Sequence, residues 1–139
     1  MLGMPTLSRR TFQGHRILVV DDEADLVEIL AEDFSSYGAE VFSAASGQEA
    51  LAILDHEPIT VIVSDVRMPG MDGVELLREV RRRFPQAPPY VFLLSGFADL
   101  KPEQALALGS QALLPKPFDL RSLRRTVAQV LKSNDSQRD

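Results

Sequence analysis

Short apolar runs rich in Val, Ile and Leu alternate along this chain with longer segments whose apolar residues recur three or four positions apart. The runs are Ile17 to Val20, Val41 to Ala44, Ile59 to Val63, Tyr90 to Leu94 and the shorter Ala112 to Leu114. Several are apolar at every position, the mark of strands covered by helices on both faces. The segments between them carry helix punctuation. Leu26, Leu30 and Phe34 keep helical spacing up to Tyr37, and Gly38 follows where a left-handed C-terminal residue belongs. Ser46 and Glu49 form a capping box ahead of Ala50, Leu51 and Leu54, and that pattern stops before Pro58. Val74, Leu77 and Val80 stop before Pro85, and a shorter helix runs from Pro102 to Leu108 and ends at Gly109. Asp119 can cap a fifth helix with an apolar stripe of Leu120, Leu123, Val127 and Val130 or Leu131.

Five βα units imply an α/β fold, an open doubly wound parallel sheet with helices on both faces and right-handed crossovers. A length of 139 residues suits a single domain. Its expected extent is 16–132, with 1–15 a flexible extension and 133–139 a polar tail or the start of a linker. No cysteine is present, so disulfides and thiolate metal sites are excluded and a reducing compartment, the cytoplasm, is expected. No segment approaches the roughly 18 apolar residues of a membrane span. A net charge of -5 gives no general attraction to nucleic acid, and Arg81, Arg82 and Arg83 read as a solvated helix face.

In such sheets ligands bind beyond the carboxyl ends of the strands. Asp21 and Asp22 follow the first run, Asp65 the third, Ser95 the fourth, and Lys116 with Pro117 the fifth. Three carboxylates gathered at one edge raise one another's proton affinity unless a cation intervenes. Oxygen donors suit magnesium, while the absence of Cys and the distance of His15 and His56 from the strand ends disfavour zinc. An ammonium and a hydroxyl beside the metal suit a phosphoryl group, and one carboxylate, Asp65, can then act as nucleophile. Each residue also has a plainer reading: Asp22 as the cap of the first helix, Asp65 as the opening of the Pro69-Gly70 turn, Ser95 as a loop residue beside Gly96. It is their joint placement at one edge that favours a site.

These residues resemble the receiver domains of response regulators. The resemblance is carried by Val19-Val20-Asp21-Asp22-Glu23, by Ser64-Asp65-Val66-Arg67-Met68-Pro69-Gly70-Met71-Asp72-Gly73, by Leu94-Ser95-Gly96 and by Lys116-Pro117-Phe118, and it spans about Arg16 to Lys132. It implies a flavodoxin-like sheet of order 2-1-3-4-5. It also implies that Asp65 is the phosphoacceptor, charged from a phosphohistidine on a histidine kinase or a histidine phosphotransfer protein. Asp22, Asp65 and the main-chain carbonyl of Arg67 would hold Mg2+, with Asp21 assisting through water. Lys116 would pair with the phosphoryl oxygens, Ser95 would donate to one of them, and the Lys116-Pro117 bond would be cis.

The chain departs from the family pattern at Leu113, where an aromatic residue or His usually stands three places before the lysine. Arg67 and Phe97 stand where bulky side chains are expected to slow the loss of the phosphoryl group to water. The resemblance further implies a signalling domain rather than an enzyme acting on external substrates, with no direct nucleic acid contact, no membrane, and a monomeric or weakly dimerising phosphorylated form. Two rivals are a magnesium-dependent phosphatase with an Asp nucleophile and a protein-interaction domain that keeps only the fold.

Overall fold

The computed structural model describes residues 7–96 and 100–137. Five strands, β1 (Arg16–Val20), β2 (Glu40–Ala44), β3 (Val61–Asp65), β4 (Tyr90–Ser95) and β5 (Ala112–Pro115), alternate with five helices. The helices are α1 (Ala24–Ser36), α2 (Gly47–Leu54), α3 (Gly73–Arg83), α4 (Pro102–Leu108) and α5 (Leu120–Gln137). All strand pairs are parallel and the sheet order is β2-β1-β3-β4-β5.

Period-two alternation explains why the central strands carry no polar stripe. Ile17 and Val19 of β1, Val61 and Val63 of β3, and Phe92 and Leu94 of β4 pack with Leu30 and Phe34 of α1 and Leu123, Val127 and Leu131 of α5. Their neighbours Leu18, Val20, Ile62, Val91 and Leu93 enter the opposite layer with Leu51 and Leu54 of α2, Leu76, Leu77 and Val80 of α3, and Ala105 of α4. Each of these apolar strand residues therefore has an apolar destination, at about 25 cal/mol per Å2 removed from water.

Local signals set the helix ends. Ser46 Oγ accepts from Glu49 N at 3.2 Å, while Glu49 Oε1 reaches back to Ala45 N rather than to Ser46 N, so the expected capping box is half formed. A complete box, not anticipated, opens α3: Asp72 Oδ1 accepts from Glu75 N at 2.8 Å and Glu75 Oε1 accepts from Asp72 N at 3.2 Å. Asp119 caps α5, its Oδ1 accepting from Arg121 N at 3.2 Å.

Two segments outside the expected domain limits are ordered. Residues 8–15, expected to form a flexible extension, fold as turns against the base of α1, with Phe12 wholly buried and its ring packed edge-to-face on Phe34, the ring centroids 5.4 Å apart. A lone aromatic between polar neighbours has no periodicity by which to announce itself. Likewise α5 continues through the polar 133–137, with Asn134 Nδ2 donating to Val130 O at 2.8 Å.

Candidate functional site

The register of β1 on β3 pairs Val20 with Ser64, and one further step sets Asp21 opposite Asp65. Alternation then turns both carboxylates to the same side at the carboxyl edge of the sheet. Asp22 leaves β1 next, and one carboxylate oxygen from each of Asp21, Asp22 and Asp65 lies within 4.8 Å of the other two. From β5 comes Lys116, whose Nζ stands 3.3 Å from Asp21 Oδ2 and 3.2 Å from Asp65 Oδ2. Its amide donates to Ser95 O at 2.7 Å, tying the end of β5 to the end of β4, and the Lys116-Pro117 bond is cis.

Asp21 is 1% exposed and Asp65 7%, whereas Asp22 is open to solvent. Burial, reinforced by the negative charge of Asp65, raises the Asp21 carboxyl above the ordinary carboxylate range, although the Glu23 amide at 2.9 Å and the Lys116 ammonium oppose it. Burial alone would lower the Lys116 ammonium, but Asp21 and Asp65 outweigh it and hold Lys116 above its ordinary value. The site is thus a charged lysine between two shielded carboxylates, with a third carboxylate at the mouth.

Asp21, Asp22, Asp65 and Lys116 converge as the strand-end placement predicts. Ser95 is buried at the end of β4 on the same edge, and Arg67 sits two residues past Asp65 with its side chain exposed. Phe97 lies outside the described residues. The plainer reading of Asp22 fails because Glu23 occupies the N-cap of α1, without a side-chain cap bond. Leu113 is half-buried against the layer of α2, α3 and α4.

Two supports of the site escaped sequence reasoning. The Glu23 amide that fixes Asp21 is a backbone group and leaves no trace in residue type. At Gly73 a Cβ would stand 2.3 Å from Asp65 O, so only glycine lets the start of α3 press against the strand end that carries Asp65. Glycine at the head of a helix just after Asp65 was the available signal.

The fold and this edge together define a doubly wound α/β protein with an acidic, lysine-bridged pocket at its topological switch. The sequence model of the response regulator receiver domain matches residues 17–128, and the chain belongs to that family, the receiver domains of two-component systems. It is 34% identical over 124 residues to a probable transcriptional regulator, ycf27, of Porphyridium aerugineum, covering 88% of this chain and 50% of that protein. It is 35% identical over 114 residues to the response regulator protein FleR of Pseudomonas aeruginosa, covering 82% of this chain and 24% of that protein. The chain therefore spans half or less of these relatives. Among solved structures, a CheY-like receiver domain from Methanospirillum hungatei superposes with a TM-score of 0.80 at 27% identity, covering 88% of this chain and 98% of that one.

Proposed function

We propose that the chain takes a phosphoryl group from a phosphohistidine of a histidine kinase or histidine phosphotransfer protein onto Asp65, in a reaction that requires Mg2+, and passes the signal on by a change of conformation. The carrying observation is the convergence of Asp21, Asp22 and Asp65 within 4.8 Å, with Lys116 Nζ 3.2 Å from Asp65. Such a donor set of oxygens alone fits a hard divalent cation. Asp22, Asp65 and the Arg67 carbonyl would hold it, with Asp21 acting through water. When bound, the ion supplies positive charge against the phosphoryl oxygens and offsets the repulsion among the carboxylates.

The protein's own groups carry the rest. An Asp65 carboxylate oxygen attacks phosphorus, and the bond from phosphorus to the imidazole nitrogen breaks as the new P–O bond forms. The imidazole keeps that electron pair and leaves as a neutral ring, because its other nitrogen carries and retains a proton. The Lys116 ammonium, which already spans Asp21 and Asp65, pairs with a phosphoryl oxygen. Ser95 donates its hydroxyl to another, drawing in the loop after β4. The product carries about 1.5 to 2 negative charges, enough to bias an existing equilibrium at the face of α4, β5 and α5.

No external substrate is turned over, so the chain is a signalling domain that catalyses only its own phosphorylation and dephosphorylation. Among the described residues no helix is long and apolar enough to cross a membrane, and we place the chain in the cytoplasm as a monomer or a weak phosphorylation-dependent dimer. Arg81, Arg82 and Arg83 are exposed, but Arg82 and Arg83 pair with Glu79, and Arg83 also with Asp55 at 3.1 Å, which leaves little basic surface for nucleic acid.

The test is mass spectrometry of the intact chain after incubation with acetyl phosphate and Mg2+. The gain expected is one phosphoryl group, absent with a chelator and absent in Asp65→Asn. A gain that persists in Asp65→Asn, or none in the folded wild-type chain, overturns the proposal.

A further inference from the structure

The sheet has two edge strands, β5 and β2. β5 is four residues long and ends on Pro115, a common protection against pairing with another chain. β2 carries neither proline nor lysine. Asp21 N donates to Ala44 O at 3.1 Å and Glu40 N to His15 O at 3.1 Å, so residues 40, 42 and 44 turn their main-chain groups toward β1. Strand alternation therefore aims the N–H and C=O of Val41 and Ser43 outward, where the described residues add no further strand.

This outward edge opens on a cleft of about 690 Å3 bounded by α1 and the start of α2. Ala24, Val27 and Ala31 form a low wall on α1, leaving room for a backbone beside β2. The charged residues lining the cleft are all acidic: Glu28 and Glu32 on α1, Glu49 on α2, and Asp21 and Asp22 at its upper end. Glu49 is partly occupied with the Ala45 amide, while Glu28 and Glu32 are exposed.

We propose that the β2 edge accepts an extended, lysine- or arginine-bearing segment of a partner protein as an added strand. Its main chain pairs with Val41 and Ser43, and its cations meet Glu28 and Glu32. Main-chain pairing supplies affinity that is largely indifferent to sequence, and the carboxylates select by charge and speed the encounter. A second copy of this chain is disfavoured as the occupant, because joining two β2 edges would bring both sets of carboxylates together. The inference does not depend on phosphorylation of Asp65.

The test uses a panel of fluorescent eight-residue peptides that alternate lysine with valine or threonine, titrated against the full chain by anisotropy. Saturable binding is expected for members of the panel. N-methylation of the peptide backbone, which keeps charge but removes donors, is expected to weaken it by about tenfold or more. Ser43→Pro is expected to do the same, because it removes an outward N–H and spares the ladder to β1. Thermal unfolding establishes that the variant is folded, and Glu28→Lys with Glu32→Lys, both at exposed sites, gives an independent loss. Equal binding of the N-methylated peptide reduces the effect to charge and overturns the proposal. So does absence of binding by every peptide up to on the order of 1 mM, or self-association of the chain that Ser43→Pro suppresses.

Discussion

Asp21 is the residue at which charge and burial conflict most directly. Burial raises its carboxyl above the ordinary range, so the folded chain keeps that proton to higher pH than the unfolded chain does. The corresponding stability is fully present below the ordinary carboxylate range, about pH 4, and is lost as pH rises through the raised folded value. In chelator, the melting temperature of the wild-type chain relative to Asp21→Asn should therefore fall as pH rises above about 4. Mg2+ should recover it at neutral pH and do little at the acidic end, where protons displace the metal. Scanning calorimetry across pH measures both. A melting temperature at neutral pH that ignores Mg2+ removes the support for a metal at this edge. Taken singly, these residues say little in the sequence: Ser95 reads as a loop residue, and Lys116 before Pro117 means almost nothing by itself. They become legible together because each follows an apolar run, and the direction in which a strand ends is a property of the sheet. The Glu23 amide and the close approach at Gly73 stay hidden, since one is main chain and the other is a missing atom.

At the level of elements, every βα unit is readable from periodicity, and the errors fall at the ends. The apolar run expected at Ile59 enters β3 only at Val61, because Ile59 N closes a turn onto Glu57 O around Pro58. At its other end β3 continues as far as Asp65, which pairs with Leu94, so Asp65 lies within the strand rather than after it. What periodicity cannot reveal is a polar contact between distant elements. Arg124 of α5 reaches Asp33 of α1 at 3.4 Å, its guanidinium lies 4.5 Å from the Tyr37 ring centroid, and both charged side chains are about 15% exposed (14% and 15%). Asp33 Oδ2 and Arg124 Nε are buried with no hydrogen-bond partner among the described residues, so the pair is only partly compensated. Burial raises the Asp33 carboxyl, with Arg124 and Arg9 opposing. Arg124→Ala is expected to cost about 3 kcal/mol at neutral pH by leaving Asp33 buried without its ion-pair partner and with only the charge of Arg9 to offset it. The loss should shrink as pH falls through the raised Asp33 value, because the proton then replaces the missing cation. The double variant Asp33→Leu with Arg124→Met should recover most of it. Urea unfolding of the wild-type chain and the two variants at two pH values decides, and a cost that does not change with pH rejects the account.

For the molecule as a whole, the two apolar layers account for the sheet but leave its α1 and α5 side open at the base, where the amino-terminal turns close it. Phe12 is wholly buried there, and its amide donates to Tyr37 O at 2.8 Å. Arg9 lies 5.1 Å from the Tyr37 ring centroid. Gly38 has φ +100°, and a Cβ there would stand 2.9 Å from Arg9 O, so the turn after α1 is shaped around this segment. The family match begins only at residue 17, which puts this closure outside the part of the chain that the family defines. Removing a buried phenylalanine ring costs about 3 to 5 kcal/mol, against a total stability of about 5 to 15 kcal/mol for a domain. Phe12→Ala is therefore expected to lower the melting temperature by roughly 10 °C or more, taking about 4 °C per kcal/mol. The acidic edge lies at the opposite end of the strands, so phosphorylation of Asp65 at low temperature should be unaffected by the same change. Calorimetry paired with the acetyl phosphate assay separates the two effects: an unchanged melting temperature would make the segment an appendage, and lost phosphorylation in a folded variant would tie it to the site.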